Sequence, residues 1–416
     1  MGAMPGASIV NNLRLVGTAG TNKVMAGELS RLARRATLAQ HLGTPIKEGP
    51  GNLVYPFNAE LAALAVRYHR TSVRVLWDLF QTRAPRLEPL YEDLLGLMKQ
   101  ESRDWLARQF AISVSARGMR EFAAGERQVV GTVKNAIVDG AAAQGRTVTV
   151  DPEEPDVHIS VRMVEDVVSV SIDLAGRPMN QRGYRISGGP APLRENLAAV
   201  LVMLGRHDAR KEVLLDPMAG TGTIAVEAAS LADARTLWIP PREPACAGLR
   251  PFRRIFSQPA EPLFADTEPF MIANDLSAEA HQLSKRHIGV ARVERAVQCW
   301  KGDFRGIDPD QVKAACRDRG MDPERGLILS NPPYGERIGD PDLLRLYRDL
   351  GQWCRRFQGW RAGFLVINPE FEQAFGFEPR IRKPLNNGPL RGHFLLYDFS
   401  DEMGPWVPRA GSFRKR

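Results

Sequence analysis

Cysteine is scarce in this 416-residue chain, with four residues in all: Cys246, Cys299, Cys316 and Cys354. None forms a C-x-x-C pair and none has histidine at zinc-ligand spacing, so neither a disulfide framework nor a structural zinc site is expected. Idle thiols in a reducing compartment are the reading that remains. Long apolar runs are also missing, and none approaches the roughly 20 residues of a membrane-spanning helix. The opening stretch MGAMPGASIVNN lacks the basic start and apolar core of a secretory leader, which makes the cytoplasm the expected compartment. The excess of one charge sign is small: 56 Lys and Arg against 48 Asp and Glu, net +8, which permits a nucleic-acid partner without requiring one.

What is present points to more than one core, because 416 residues exceed the size of one ordinary domain. Residues 1–85 read as a small α+β unit with strands at Leu13–Val16 and Asn52–Tyr55 and a helix at Met25–Arg35. Residues 86–187 continue as α+β. There QFAISVSAR, DVHISVRMV and VVSVSIDLA alternate with period two, the pattern of half-buried antiparallel strands, the last two joined by a hairpin at Glu165 and Asp166. From residue 188 to 416 the pattern changes to continuous apolar strands separated by amphipathic helices. That predicts an α/β domain with a parallel sheet covered on both faces and ligands at the strands' C-terminal ends.

The first strand of this domain runs into DPMAGTGTIAVEAA. Gly220 and Gly222 allow close backbone approach, and a helix beginning near Thr223 aims free N–H groups at the same space. The Gly-Lys-Ser/Thr of a phosphate-binding P-loop is absent. Gly220, Gly222 and Ala225 formally satisfy the dinucleotide pattern G-x-G-x-x-A, so the acids at the next strand ends must decide. Asp216 precedes the glycines, Asp275 ends the second strand in MIANDLS, and Asp303 follows the third in QCWKGDF. Carboxylates for an amino group, a ribose and an adenine amine suit S-adenosylmethionine, which is cationic and carries no phosphate. The fourth strand ends in LILSNPPYGER. There Asn331 offers a side-chain carbonyl and Pro332 a backbone carbonyl in a stiffened corner. Two fixed acceptors can hold both hydrogens of an exocyclic amine while Tyr334 stacks on the base.

Together DPMAGTGTIAVEAA, NPPYGER and NNGPLRGHFLLYDF resemble the class I RNA methyltransferases that carry a THUMP domain and modify the N2 amine of guanine. Upstream, VKNAIVDGAA, DPEEPDVHISVRM and SIDLAGRPMNQRGYR resemble the THUMP module, and residues 1–85 the ferredoxin-like domain that precedes it. The resemblance is nearest to the bacterial large-subunit ribosomal RNA guanine-N2 enzymes in their stand-alone form. It implies a Rossmann-like domain over 188–416. Asp216, Gly220 and Gly222 would lie around the donor's amino-acid portion, with Asp275 on the ribose, Asp303 on the adenine, and Pro217 and Thr223 also in the cofactor site. Asn331, Pro332 and Tyr334 would hold the guanine, and Arg185 and Pro192 would close over the methionine end. One departure is visible: M-A-G-T-G-T stands where such enzymes often have cysteine and serine around the first glycine. Relatives acting on transfer RNA share these motifs, and N-P-P-Y can also hold the N6 amine of adenine. A non-catalytic RNA-binding assembly factor with a relict methyltransferase fold is the remaining alternative.

Three stretches are candidates for RNA contact. The insertion WIPPREPACAGLRPFRRIF combines Arg242, Arg250, Arg253 and Arg254 with Phe252 and Phe256, cations for phosphates and rings for exposed bases. RYHRTSVR (67–74) and the tail RAGSFRKR add charge. The region 86–187 has few aromatics and is expected to grip RNA by shape and backbone.

Overall fold

The computed structural model describes residues 8–83, 86–100, 109–117, 124–164, 167–186, 193–238, 243–264, 268–335, 340–399 and 404–407. The chain divides into two compact units. One comprises residues 1–17, 25–179 and 241–261; the other comprises 18–24, 180–240 and 262–416.

The first unit is built on one sheet of eight strands. They are β1 (Ser8–Gly17), β2 (Ile46–Lys47), β3 (Asn52–Pro56), β4 (Ser72–Thr82), β5 (Gln109–Arg117), β6 (Thr147–Val150), β7 (Val157–Val164) and β8 (Val167–Asp173), in the order β2-β3-β1-β4-β8-β7-β5-β6. β7 and β8 pair antiparallel as expected, although the turn residues Glu165 and Asp166 lie outside the described residues. β5 departs from expectation, since it runs parallel to both neighbours, β6 and β7. The helix Glu126–Ala142 joins β5 to β6 and supplies the crossover that a parallel pair needs. Period-two alternation reports one buried face and says nothing about strand direction.

The insertion also departs from expectation. Phe252 is fully buried in this unit, meeting Phe57 and Trp77 edge-on at 6.2 and 6.4 Å, while those two rings stack at 4.2 Å. Arg67 lies over the Phe256 ring at 4.5 Å and donates to the carbonyls of Ile255 and Gln258. Phe252 is therefore a core residue and cannot stack on RNA, and Phe256 is already covered by a guanidinium. RYHRTSVR is structural for the same kind of reason: His69 and Arg70 are buried, and Arg74 pairs with Asp173. Arg242 and the tail RAGSFRKR lie outside the described residues.

The second unit is a seven-stranded sheet: β9 (Val213–Asp216), β10 (Met271–Asp275), β11 (Val297–Lys301), β12 (Gly326–Ser330), β13 (Arg361–Val366), β14 (Ile381–Pro384) and β15 (His393–Asp398), in the order β11-β10-β9-β12-β13-β15-β14. The first five are mutually parallel, and β15 runs antiparallel to β13 and β14. Their residues alternate between two apolar clusters. Leu214, Met271, Ala273, Leu327 and Leu329 face one cluster; Val213, Leu215, Ile272 and Ile328 face the other. Burial on both faces is why these strands read as unbroken apolar runs. The chain moves from β9 outward to β11 and then returns to place β12 on β9's other side. A crevice opens at such a reversal, at the strands' C-terminal ends. No helix among the described residues is long and apolar enough to cross a membrane.

Candidate active site

Asp216 and Ser330 end the two strands that flank this reversal. Asp216 is buried, and its Oδ1 accepts from Ser330 Oγ at 2.6 Å and from the Met218 N–H at 3.2 Å. Burial pushes its carboxyl up to about 7; the two hydrogen bonds oppose that shift, and neighbouring Asp275 adds to it.

The loop after Asp216 is fixed mainly by β10. Asn274 donates to the carbonyls of Pro217 and Gly302 at 2.9 and 3.0 Å, and its own carbonyl accepts from Ala219 N. Asp275 Oδ2 accepts from Gly220 N at 2.7 Å, while its Oδ1 accepts from Ser277 N at 2.9 Å. Gly220 has φ +54° and faces open space, as a cradle residue does. Gly222 has φ +80°, and a Cβ there would lie 2.4 Å from Ser284 Oγ, so no other residue fits unstrained. Gly222 caps the helix Thr223–Ala232. His287 Nδ1 donates to the Thr221 carbonyl at 3.0 Å. Arg185 donates to Leu193 O at 2.8 Å and Thr223 Oγ1 at 3.2 Å, and it pairs with Glu195.

A cavity of about 440 Å³ results, within the usual size of small-molecule sites. Of the residues expected from sequence, Asp216, Gly220, Thr223, Asp275 and Asn331 line it. Pro217 and Gly222 shape the loop, and Arg185 braces two lining residues, Leu193 and Thr223. Asp303 stands apart from the lining. Its side chain is 43% exposed, caps a short 3₁₀ turn through Arg305 N and pairs with Arg305 Nη1 at 2.9 Å. Pro192 lies outside the described residues.

Beyond Ser330 the N-P-P-Y corner is held from three directions. Tyr347 donates to the Pro333 carbonyl at 2.6 Å, and Asn368 Nδ2 to the Tyr334 carbonyl at 3.2 Å. The Tyr334 hydroxyl donates to Asn331 Oδ1 and accepts from Asn387 Nδ2 at 3.4 Å. One lone pair of the Asn331 carbonyl is thus taken and one remains. Pro332 is itself buried, and no described residue donates to its carbonyl. Burial raises the Tyr334 pKa, so its phenol stays protonated and able to donate.

Sequence reasoning missed Ser330, Asn274, Asn368 and Asn387. Asn274 and Ser330 carried a signal, each being a polar residue at the end of an apolar strand. Asn368 and Asn387 act through contacts 34 and 53 residues away in the chain, which no local pattern reveals.

Among the described residues the lining contains three carboxylates, Asp216, Asp275 and Glu279, and no lysine or arginine. Such a set repels the phosphates of a dinucleotide and suits a ligand with a sulfonium, an ammonium and ribose hydroxyls. Residues 182–395, just over half of the chain, match the UPF0020 family, described as an RMKL-like methyltransferase domain. Over 88% of its length the chain is 32% identical to the ribosomal RNA large subunit methyltransferase K/L of Methylococcus capsulatus, of which it covers 49%. The chain spans about half the length of the curated relatives it matches. Among solved structures, a "possible methylase" from Clostridium difficile 630 is 25% identical, with a TM-score of 0.75 over 96% of this chain and 100% of that one. SMU.472 in complex with SAH is 21% identical and shares the fold at a TM-score of 0.77, over 96% of this chain and 100% of that one. The cofactor is S-adenosylmethionine, which the acid-lined cradle fits. With its Rossmann-like sheet and glycine cradle matched over residues 182–395, the chain belongs to the RMKL-like methyltransferase-domain family.

Proposed function

We propose that this chain methylates the exocyclic N2 amine of a guanine in large-subunit ribosomal RNA. One observation carries the reading: Asn331, the acceptor of the N-P-P-Y corner, itself lines the donor cavity. An amine held there would stand beside the methyl source. The name of the Methylococcus relative supports large-subunit RNA as the target. We assign residues 86–187 as a THUMP module and 1–85 as a ferredoxin-like domain, which together would bind the RNA by shape.

When bound, S-adenosylmethionine supplies an electrophilic methyl group on a sulfonium. Asp216 would hold its ammonium and Asp275 its ribose hydroxyls, using lone pairs left over from Gly220 and Ser277. Asp303 is the weaker candidate for the adenine amine, because Arg305 already occupies it. Arg185 would steady the methionine end through Leu193 and Thr223. The free lone pair of Asn331 Oδ1 and the Pro332 carbonyl would accept the two amine hydrogens, turning the nitrogen lone pair out of conjugation. Tyr334 would orient the Asn331 amide through its hydroxyl and flank the base with its ring.

The test is methyl transfer from labelled donor to separated ribosomal and transfer RNA, followed by nucleoside analysis. N2-methylguanosine in large-subunit RNA is the expected product. The same nucleoside in transfer RNA would move the target, and N6-methyladenosine would change the base. Donor binding without transfer to any RNA would favour an assembly factor.

A further inference from the structure

Around the turn that carries Asn387, the second unit gathers four cations, Lys23, Arg194, Lys383 and Arg391. Leu385 N donates to Gly392 O at 2.9 Å and closes the turn, and Asn387 and Leu390 exchange backbone bonds inside it. Asn387 in turn contacts the Tyr334 hydroxyl, so the turn is joined to the corner that would receive the base. Arg391 lies exposed on the turn. Arg194, also exposed, brings Nη2 to 4.0 Å from where a Gly388 Cβ would stand. Lys383, on the strand leading into the turn, is partly buried; burial and neighbouring Lys23 lower its pKa. The Lys23 segment passes close by, since a Cβ on Gly20 would lie 3.3 Å from the Pro384 carbonyl.

Among the described residues, none of these four cations has a hydrogen-bond or ion-pair partner. Arg382 next door differs, because Glu372 accepts from its Nε at 2.9 Å. Lys23 also stands in the first turn of the helix Asn22–Arg35, which has no acid there, where positive charge opposes the helix dipole. Holding like charges together at such a place works against folding. A polyanion laid across them would reverse the sign of that cost.

We infer that Arg194, Lys383, Lys23 and Arg391 bind backbone phosphates of the RNA strand next to the target nucleotide, fixing the backbone from which the base reaches Asn331 and Tyr334. This rests on the reading of RNA as substrate. Phosphate contacts of this kind position a strand without reading its sequence.

The test measures affinity of the full chain for protein-free large-subunit ribosomal RNA across a potassium chloride series. Wild type is compared with Arg194→Gln, Lys383→Gln and the triple variant that adds Lys23→Gln. Each single substitution is expected to lower the slope of log K against log salt by about 0.7, and the triple by about 2, with affinity roughly tenfold weaker. Lys383→Arg should restore the slope, which a purely structural role would not predict. Donor affinity, read by calorimetry, should stay at the wild-type value. A triple variant with the wild-type slope, in a protein that still methylates RNA, would overturn the inference and leave the proposed reaction standing. Wild type without RNA affinity or methyl transfer would overturn both.

Discussion

Donor binding should depend on pH through Asp216. Burial holds this carboxyl near 7 in the donor-free protein. If the carboxylate receives the donor's ammonium, binding must first remove its proton wherever the pH lies below that value. At pH 5, two units lower, roughly one molecule in 100 carries the ionised form, a cost of about 2.7 kcal/mol. Affinity for S-adenosylhomocysteine, which bears the same ammonium, should therefore rise about tenfold per unit from pH 5 and level off above 7. Calorimetry at each pH in two buffers of different ionisation enthalpy counts the protons exchanged. Close to one proton should leave per ligand at pH 6 and almost none at pH 8. Asp216→Asn should bind more weakly and without pH dependence. The same raised value acts on stability with the opposite sense. Neutral Asp216 favours the folded state at low pH, and that contribution is lost as pH rises through about 7. Asn at this position should therefore raise the melting temperature of the donor-free protein at pH 8. Flat affinity with no proton exchange would refute the pairing of Asp216 with the ammonium.

Other substitutions separate the two halves of the site. Asn331→Ala should cut kcat by at least about 100-fold while the donor dissociation constant barely moves; a fully active variant would remove Asn331 from the amine clamp. Asp275→Ala should weaken donor binding by roughly 10- to 100-fold, since it removes a charged acceptor and releases Gly220 N; unchanged calorimetry would count against the ribose role. Gly222→Ala should lower stability by about 1–2 kcal/mol from its φ of +80° alone, before the crowding at Ser284. Denaturant unfolding measures this, and adding Ser284→Ala should recover only the part due to crowding.

The second unit was legible because its strands are buried on both faces and its loops carry the chemistry. Val213–Leu215 and Leu327–Leu329 read as apolar runs for that reason, and Gly222 marks a backbone shape that few residues can adopt. Where the sequence misled, local composition had two physical explanations. An Arg and Phe mixture looks the same whether the rings meet bases or, as with Phe252, fill a core. Charge in RYHRTSVR looked like surface, yet Arg70 is buried and Arg74 is paired. An acid at a strand end can line a cavity, as Asp275 does, or cap its own turn, as Asp303 does through Arg305 N, and local sequence does not tell the two apart. Asn387 reaches Tyr334 across 53 residues of chain, a proximity that exists only after the sheet has formed.

The return of residues 241–261 to the first unit has a consequence in time as well as in space. During synthesis β1–β8 are complete once Asp173 has emerged, but the ring that meets Phe57 and Trp77 edge-on is Phe252. At about 5–20 residues per second, the roughly 80 intervening residues take about 4 to 16 s to make. For that interval an aromatic surface stays open on a nascent chain, and residues 180–240 of the second unit are made before the first can close.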